Sequence, residues 1–309
     1  MAKSSTTHGP PGDGAIIRPE GGPRTPASLG WRSIGLYVGL ALAVSWILQI
    51  LAIRVWGLES PVTSAIFVVI MWSPTLLALA FIVFNRAART GVVWKIGRLR
   101  YLPLGILVPT VIAFLILAIM VSAGMATSGW FVLEGGGVTI TGGPWVLGEG
   151  FQGWPLYVLN IAATAVTFSI FSLVATTGEE FAWRGFLQGH LVRRTGVIPG
   201  ILILAAIWWA WHVPGLLAGY NFPDYPILGA LVLFPLQMIG ASLFFGWLTI
   251  RAGSFWPAAL AHAAVNSIQQ GMIDNLQLGV PVLYVDVLRT TLILAVGLVC
   301  WAMLRHDPT

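Results

Sequence analysis

Runs of about twenty apolar residues recur along almost the whole chain, and each is long enough to cross a hydrocarbon layer of ~30 Å as a helix. They fall at roughly 33–53, 62–84, 101–124, 156–178, 197–217, 226–250, 255–272 and 282–304. Lipid offers the backbone no hydrogen-bond partner, so such segments must satisfy their own amides and carbonyls as helices. The seventh run is short and tinged with polar residues. Only 9% of the 309 residues are charged and 57% are hydrophobic. A soluble domain carries ~25% charged residues, so this chain is too poor in charge to keep a water-facing surface. The expectation is an all-α polytopic transmembrane bundle of about eight spans. Fifteen tryptophans, many near segment ends, suit the interfacial belt.

Residues 1–30 are rich in Gly, Pro, Ser and Thr and read as a disordered cytoplasmic tail, with no cleavable signal peptide expected before the first span. Residues 31–305 then form one transmembrane domain. The linker 125–155 is Gly-rich and lacks Lys and Arg, which suits an external loop or a partly re-entrant segment. With the N-terminus inside, the inner segments hold Lys3, Arg18, Arg24, Arg32, Arg86, Arg89, Lys95, Arg98, Arg100, Arg193, Arg194, Arg251 and Arg305. The outer segments hold only Arg54 and Arg289. By the positive-inside rule both termini are cytoplasmic. The basic residues therefore report topology, with anionic lipid as an added partner for Arg86 to Arg100, and no nucleic-acid role is expected. The single cysteine, Cys300, excludes an intrachain disulfide. No internal repeat suggests an inverted-repeat transporter.

Ionisable groups at membrane depth cost on the order of 2.5–3.5 kcal/mol each, so they are functional candidates. Few occur here: Glu179, Glu180 and Arg184 in the fourth segment, His212 in the fifth, and His262 with Asn266 in the seventh. Counted from the turn near Arg194–Gly196, Glu179 and His212 lie at similar depth, roughly 22 and 24 Å along antiparallel helices. His262 and Asn266 sit roughly 12 and 18 Å into theirs, on one face. Glu180 and Arg184 are i, i+4 partners, whereas Glu179 is rotated by about 100° and left free. A free carboxylate beside an imidazole can take a proton from water, and His262 and Asn266 can supply donors to an oxyanion. The plainer readings are a structural Glu179 held by backbone or Trp N–H groups, and histidines and Asn266 serving as interhelical hydrogen-bond partners.

The stretch Gly178-Glu179-Glu180-Phe181-Ala182-Trp183-Arg184-Gly185 resembles the EExxxRG motif of the CAAX protease and bacteriocin-processing (CPBP) family of intramembrane proteases, relatives of the type II CAAX prenyl endopeptidase or Ras-converting enzyme. Trp208-Trp209-Ala210-Trp211-His212 resembles the family's FxxxH motif with Trp208 in place of Phe, and His262-Ala263-Ala264-Val265-Asn266 matches HxxxN. The resemblance places a protease-like core at about 156–272. It implies that Glu179 is the general base with His212 assisting, that His262 and Asn266 hold the oxyanion, and that Glu180 and Arg184 support the helix. The implied substrate is a membrane-anchored peptide or protein, prenylated in the eukaryotic relatives, cut by a glutamate-activated water without cofactor. A zinc-dependent version would use Glu179, His212 and His262 as ligands. The rival readings are a non-catalytic bacteriocin-immunity or scaffold protein of the same fold, and a proton-coupled carrier. The expected setting is a prokaryotic plasma membrane, with the active site opening toward the cytoplasm.

Overall fold

The structure, a computed structural model, describes residues 28–306. The predicted tail 1–30 thus lies almost entirely outside the described residues, while Leu29 at its end is fully buried in the bundle. Helices α1 (Trp31–Trp56), α2 (Pro61–Phe84) and α3 (Leu102–Ser122) are followed by strands β1 (Ala126–Ser128), β2 (Phe131–Glu134), β3 (Gly137–Ile140) and β4 (Gly150–Gly153). Helix α4 (Trp154–Glu180) runs through a π-helical stretch (Phe181–Leu187) into α5 (Gln188–Thr195). After α6 (Val197–Leu217), the short α7 (Pro226–Leu228) continues through a second π stretch (Gly229–Leu233) into α8 (Phe234–Ala252). Then α9 (Trp256–Ala264) passes through a third π stretch (Val265–Gln269) into α10 (Gln270–Asp274), before β5 (Leu276–Leu278) and α11 (Leu283–His306).

Seven helices among the described residues are long and apolar enough to cross a membrane. The segment α9–α10 is not one of them, yet its ends show that it crosses as well. Phe255 N donates to Val93 O (3.2 Å) and Arg98 N to Ala252 O (2.9 Å), which ties its start to the loop before α3. At its far end β5 pairs antiparallel with β1, just after α3. The segment therefore traverses the same thickness as α3, in the same direction. Its 19 residues span ~28 Å as a helix, close to the ~30 Å of a hydrocarbon core. This is the short polar seventh run of the sequence, and its polarity is tolerated because protein, not lipid, surrounds it. Ala258, Ala259, Ala261, Ala263 and Ala264 are fully buried. Small side chains permit this close approach, and a Cβ on Gly105 of α3 would come within 2.5 Å of Pro257 O.

Eight passes place both ends of the described chain on one face. That arginine face carries the 85–101 loop, the α5–α6 turn and the start of α9, and Arg193 donates to Thr90 O (2.6 Å) across it. The opposite, cap face carries the 57–60 and 218–225 connections and the strands. The Gly-rich linker 125–155 is neither a bare loop nor re-entrant: β2, β3 and β4 form an antiparallel sheet outside the helices. Its first hairpin turns on Gly135-Gly136, where Gly136 has φ 87°, a conformation that suits a two-residue loop. The lipid-facing perimeter is apolar, with Phe84 88% exposed and Val69 67% exposed.

Candidate active site

The depth of the glutamate pair is set by how closely α4 approaches α2. A Cβ on Gly178 would lie 2.8 Å from Met71 O and from the Trp72 ring, so only glycine permits this contact. Thr75 Oγ1 reinforces it by donating to Gly178 O. Thr176 Oγ1 donates to Ala259 O (3.0 Å), locking α4 to α9 on the other side. Immediately after Glu180 the helix widens into its π stretch, a distortion that recurs at functional sites. The two adjacent carboxylates then face different surroundings.

Glu179 faces a cavity of about 440 Å³ that His212, His262 and Asn266 also line. The sequence expectation that these four groups converge is met. The carboxylate is 2% exposed. Its Oε2 accepts a hydrogen bond from Trp208 Nε1 (2.7 Å), so Glu179 is not free as expected. Oε1 has no partner among the described residues and is left to the cavity. His212 Nδ1 donates to Trp208 O (2.8 Å), which directs Nε2 away from its own helix backbone. One residue, Trp208, thereby orients both the carboxylate and the first imidazole.

Glu180 turns the other way and is fully buried. Its Oε1 accepts from Arg184 NH1 (2.8 Å), the expected i, i+4 pair. The same oxygen also accepts from His262 Nδ1 (3.0 Å), a partner the sequence did not reveal. Arg184 NH2 donates to Ser242 Oγ on α8 (3.1 Å), and its guanidinium lies 4.2 Å over the Trp208 ring. Burying a charge is tolerable only when it is paired and hydrogen-bonded. Glu180, Arg184, Ser242 and His262 meet that condition by joining α4, α8 and α9 into one network. Asn266, in the third π stretch, is exposed within the cavity wall and makes no side-chain hydrogen bond among the described residues.

The zinc alternative fares differently. Among the described residues no group of three or more His, Cys, Asp or Glu is arranged to hold a metal ion. Glu179 is drawn to Trp208 and His262 to Glu180, so Glu179, His212 and His262 do not close into a ligand set. His190, read as an interface residue, is fully buried beside the start of α1, and Leu29 N donates to its Nδ1 (3.4 Å).

The expected opening toward the arginine-bearing side needs correction. From Glu179 the cavity extends to Leu58, Asn221 and Arg289, residues of the cap-face loops and of the cap-side end of α11. An N-terminus inside and a site opening inward do not hold together in this fold.

A bundle of membrane-spanning helices that encloses a carboxylate, two imidazoles and an amide in one cavity defines an integral membrane protein with a hydrolase-like site. Residues 160–268 match the family model described as type II CAAX prenyl endopeptidase Rce1-like, so this stretch is an Rce1-like domain of a CAAX-type intramembrane protease family. The match contains all three motifs. No curated protein matches the chain.

Proposed function

We propose that the protein is an intramembrane endopeptidase that hydrolyses a peptide bond in a membrane-embedded or membrane-apposed segment through a glutamate-activated water. The observation that carries this reading is Glu179 Oε1, unpartnered beside a cavity shared with His212, His262 and Asn266. Glu179 takes a proton from water, with His212 Nε2 helping to orient that water. The resulting hydroxide adds to the carbonyl carbon of the scissile bond. Its oxyanion is held by His262, whose imidazolium form is backed by Glu180, and by the Asn266 amide. The proton taken by Glu179 passes to the leaving nitrogen as the C–N bond breaks. The family's description names a CAAX prenyl endopeptidase; for this chain a prenyl group is not required by any residue of the site.

Purified full-length protein in liposomes is expected to cleave a membrane-anchored peptide, and to continue doing so in a strong chelator. No cleavage of any anchored peptide would favour the scaffold reading, and reversible loss with chelator would favour a metal.

Trp208→Phe tests the positioning of the base. Phenylalanine keeps an aromatic wall but has no N–H for Glu179. A hydrogen bond to a charged group contributes about 1.5–3 kcal/mol. We expect kcat to fall at least about tenfold with KM unchanged, since the carboxylate would no longer be held for the transition state. A change confined to KM would mean that Trp208 is only a binding wall.

A further inference from the structure

We infer that the catalytic cavity is entered from the face opposite the arginine-rich loops, so that its substrate is a polypeptide segment presented on the non-cytoplasmic side of the membrane. The protease reading underlies what enters; the side of entry rests on geometry and charge alone.

The cavity is asymmetric along the membrane normal. Its floor is Glu179, Trp208 and His262, and its rim is Leu58, Asn221 and Arg289. Toward the arginine face the floor is closed by packed side chains. Phe181 and Phe255 meet edge to face at 5.7 Å, and Trp183, Phe186 and Ala258 beside them are fully buried. Backbone bonds close the layer below, with Val93 N donating to Gly185 O (2.9 Å) and Phe255 N to Val93 O (3.2 Å). None of these residues lines the cavity. Water and substrate therefore reach Glu179 from the cap side.

Charge assigns that side to a compartment. Among the described residues, Arg32, Arg86, Arg89, Lys95, Arg98, Arg100, Arg193, Arg194, Arg251 and Arg305 belong to the arginine face. The cap side has Arg54 and Arg289, and Arg289 is held within the bundle by Asp286 (2.7 Å). Basic residues in short connections stay in the cytoplasm. The cap face is then the non-cytoplasmic one, and a tail confined to the cytoplasm would meet the Phe181–Phe255 plug instead of the base. The fitting substrate is a translocated chain, or a membrane-anchored one whose scissile segment lies in or beyond the outer leaflet.

The test uses full-length protein in intact cells, with Cys300→Ser removing the one native thiol. Single cysteines are introduced as Ser64→Cys in the cavity wall, Glu149→Cys on the cap and Leu99→Cys on the arginine face, all at exposed positions. A membrane-impermeant maleimide is expected to label Ser64→Cys and Glu149→Cys in intact cells, and Leu99→Cys only after permeabilisation. The reverse pattern would overturn the inference by inverting the protein. So would a labelled Glu149→Cys with Ser64→Cys unlabelled even in detergent, because the cavity would then be shut at the cap face. Labelling does not depend on turnover. If the protease reading alone is wrong, anchored peptides stay intact while the labelling pattern is as expected.

Discussion

Glu179→Gln is expected to remove about two to four orders of magnitude of peptidase turnover, the span general acid–base catalysis typically contributes. The amide keeps the shape of the carboxylate, and its oxygen still accepts from Trp208 Nε1, so the bundle should fold as before. What disappears is the group that takes the proton from water. The check is a paired measurement on wild type and variant: cleavage of a liposome-anchored peptide, and thermal unfolding in detergent. Normal cleavage by the variant would remove Glu179 from the mechanism. Loss of folded protein together with activity would instead assign it the structural role weighed from the sequence.

Arg184→Ala should fail in the opposite way, by losing the fold before the chemistry. Glu180 is fully buried, and the guanidinium is its only cationic side chain apart from a protonated His262. Removing one partner of a buried ion pair costs about 3–5 kcal/mol, because an uncompensated charge stays in a low-dielectric interior. The substitution also deletes the bond to Ser242 and the stacking on Trp208. The expected result is a strong fall in yield and thermal stability after solubilisation. Pairing it with Glu180→Gln, as Glu180→Gln/Arg184→Met, should restore most of the stability by removing both charges. It should not restore turnover, since His262 then lacks the carboxylate that backs it. A stable Arg184→Ala protein would show that the pair is not needed for folding.

How much of this was legible in the sequence varies with the kind of interaction. The helices were read nearly in full, because apolar length is a direct consequence of lipid as solvent. The short polar pass was harder, since α9–α10 satisfies a different rule, that of a helix enclosed by protein. Its signature was the alanine run around His262, which low hydropathy hides. The convergence of Glu179, His212, His262 and Asn266 followed from counting helical rise, because α4 through α5 is continuous and its turn lies where glycine predicts it, at Gly196 with φ 90°.

Three things were not readable. The partners of the carboxylates depend on rotation about helix axes that the π stretches alter, so neither the Trp208–Glu179 bond nor the His262–Glu180 bond follows from spacing. Trp208 was visible as a departure from Phe, but its added N–H acquires meaning only with Glu179 beside it. The direction of the cavity was missed because depth from one face says nothing of which end is plugged. The Phe181–Phe255 contact decides that, between residues 74 positions apart in sequence. The small cap sheet was also hidden, since its glycines served equally for a loop.

The most direct test of the shared cavity is an experimental structure of the full chain with a peptide in which a phosphinic group replaces the scissile amide. Its two oxygens mimic the attacking water and the developing oxyanion. Water activation by Glu179 requires one oxygen within hydrogen-bond reach of the Glu179 carboxylate, and the other facing His262 and Asn266. A mimic bound elsewhere, or one whose oxygens contact none of these side chains, would contradict the account.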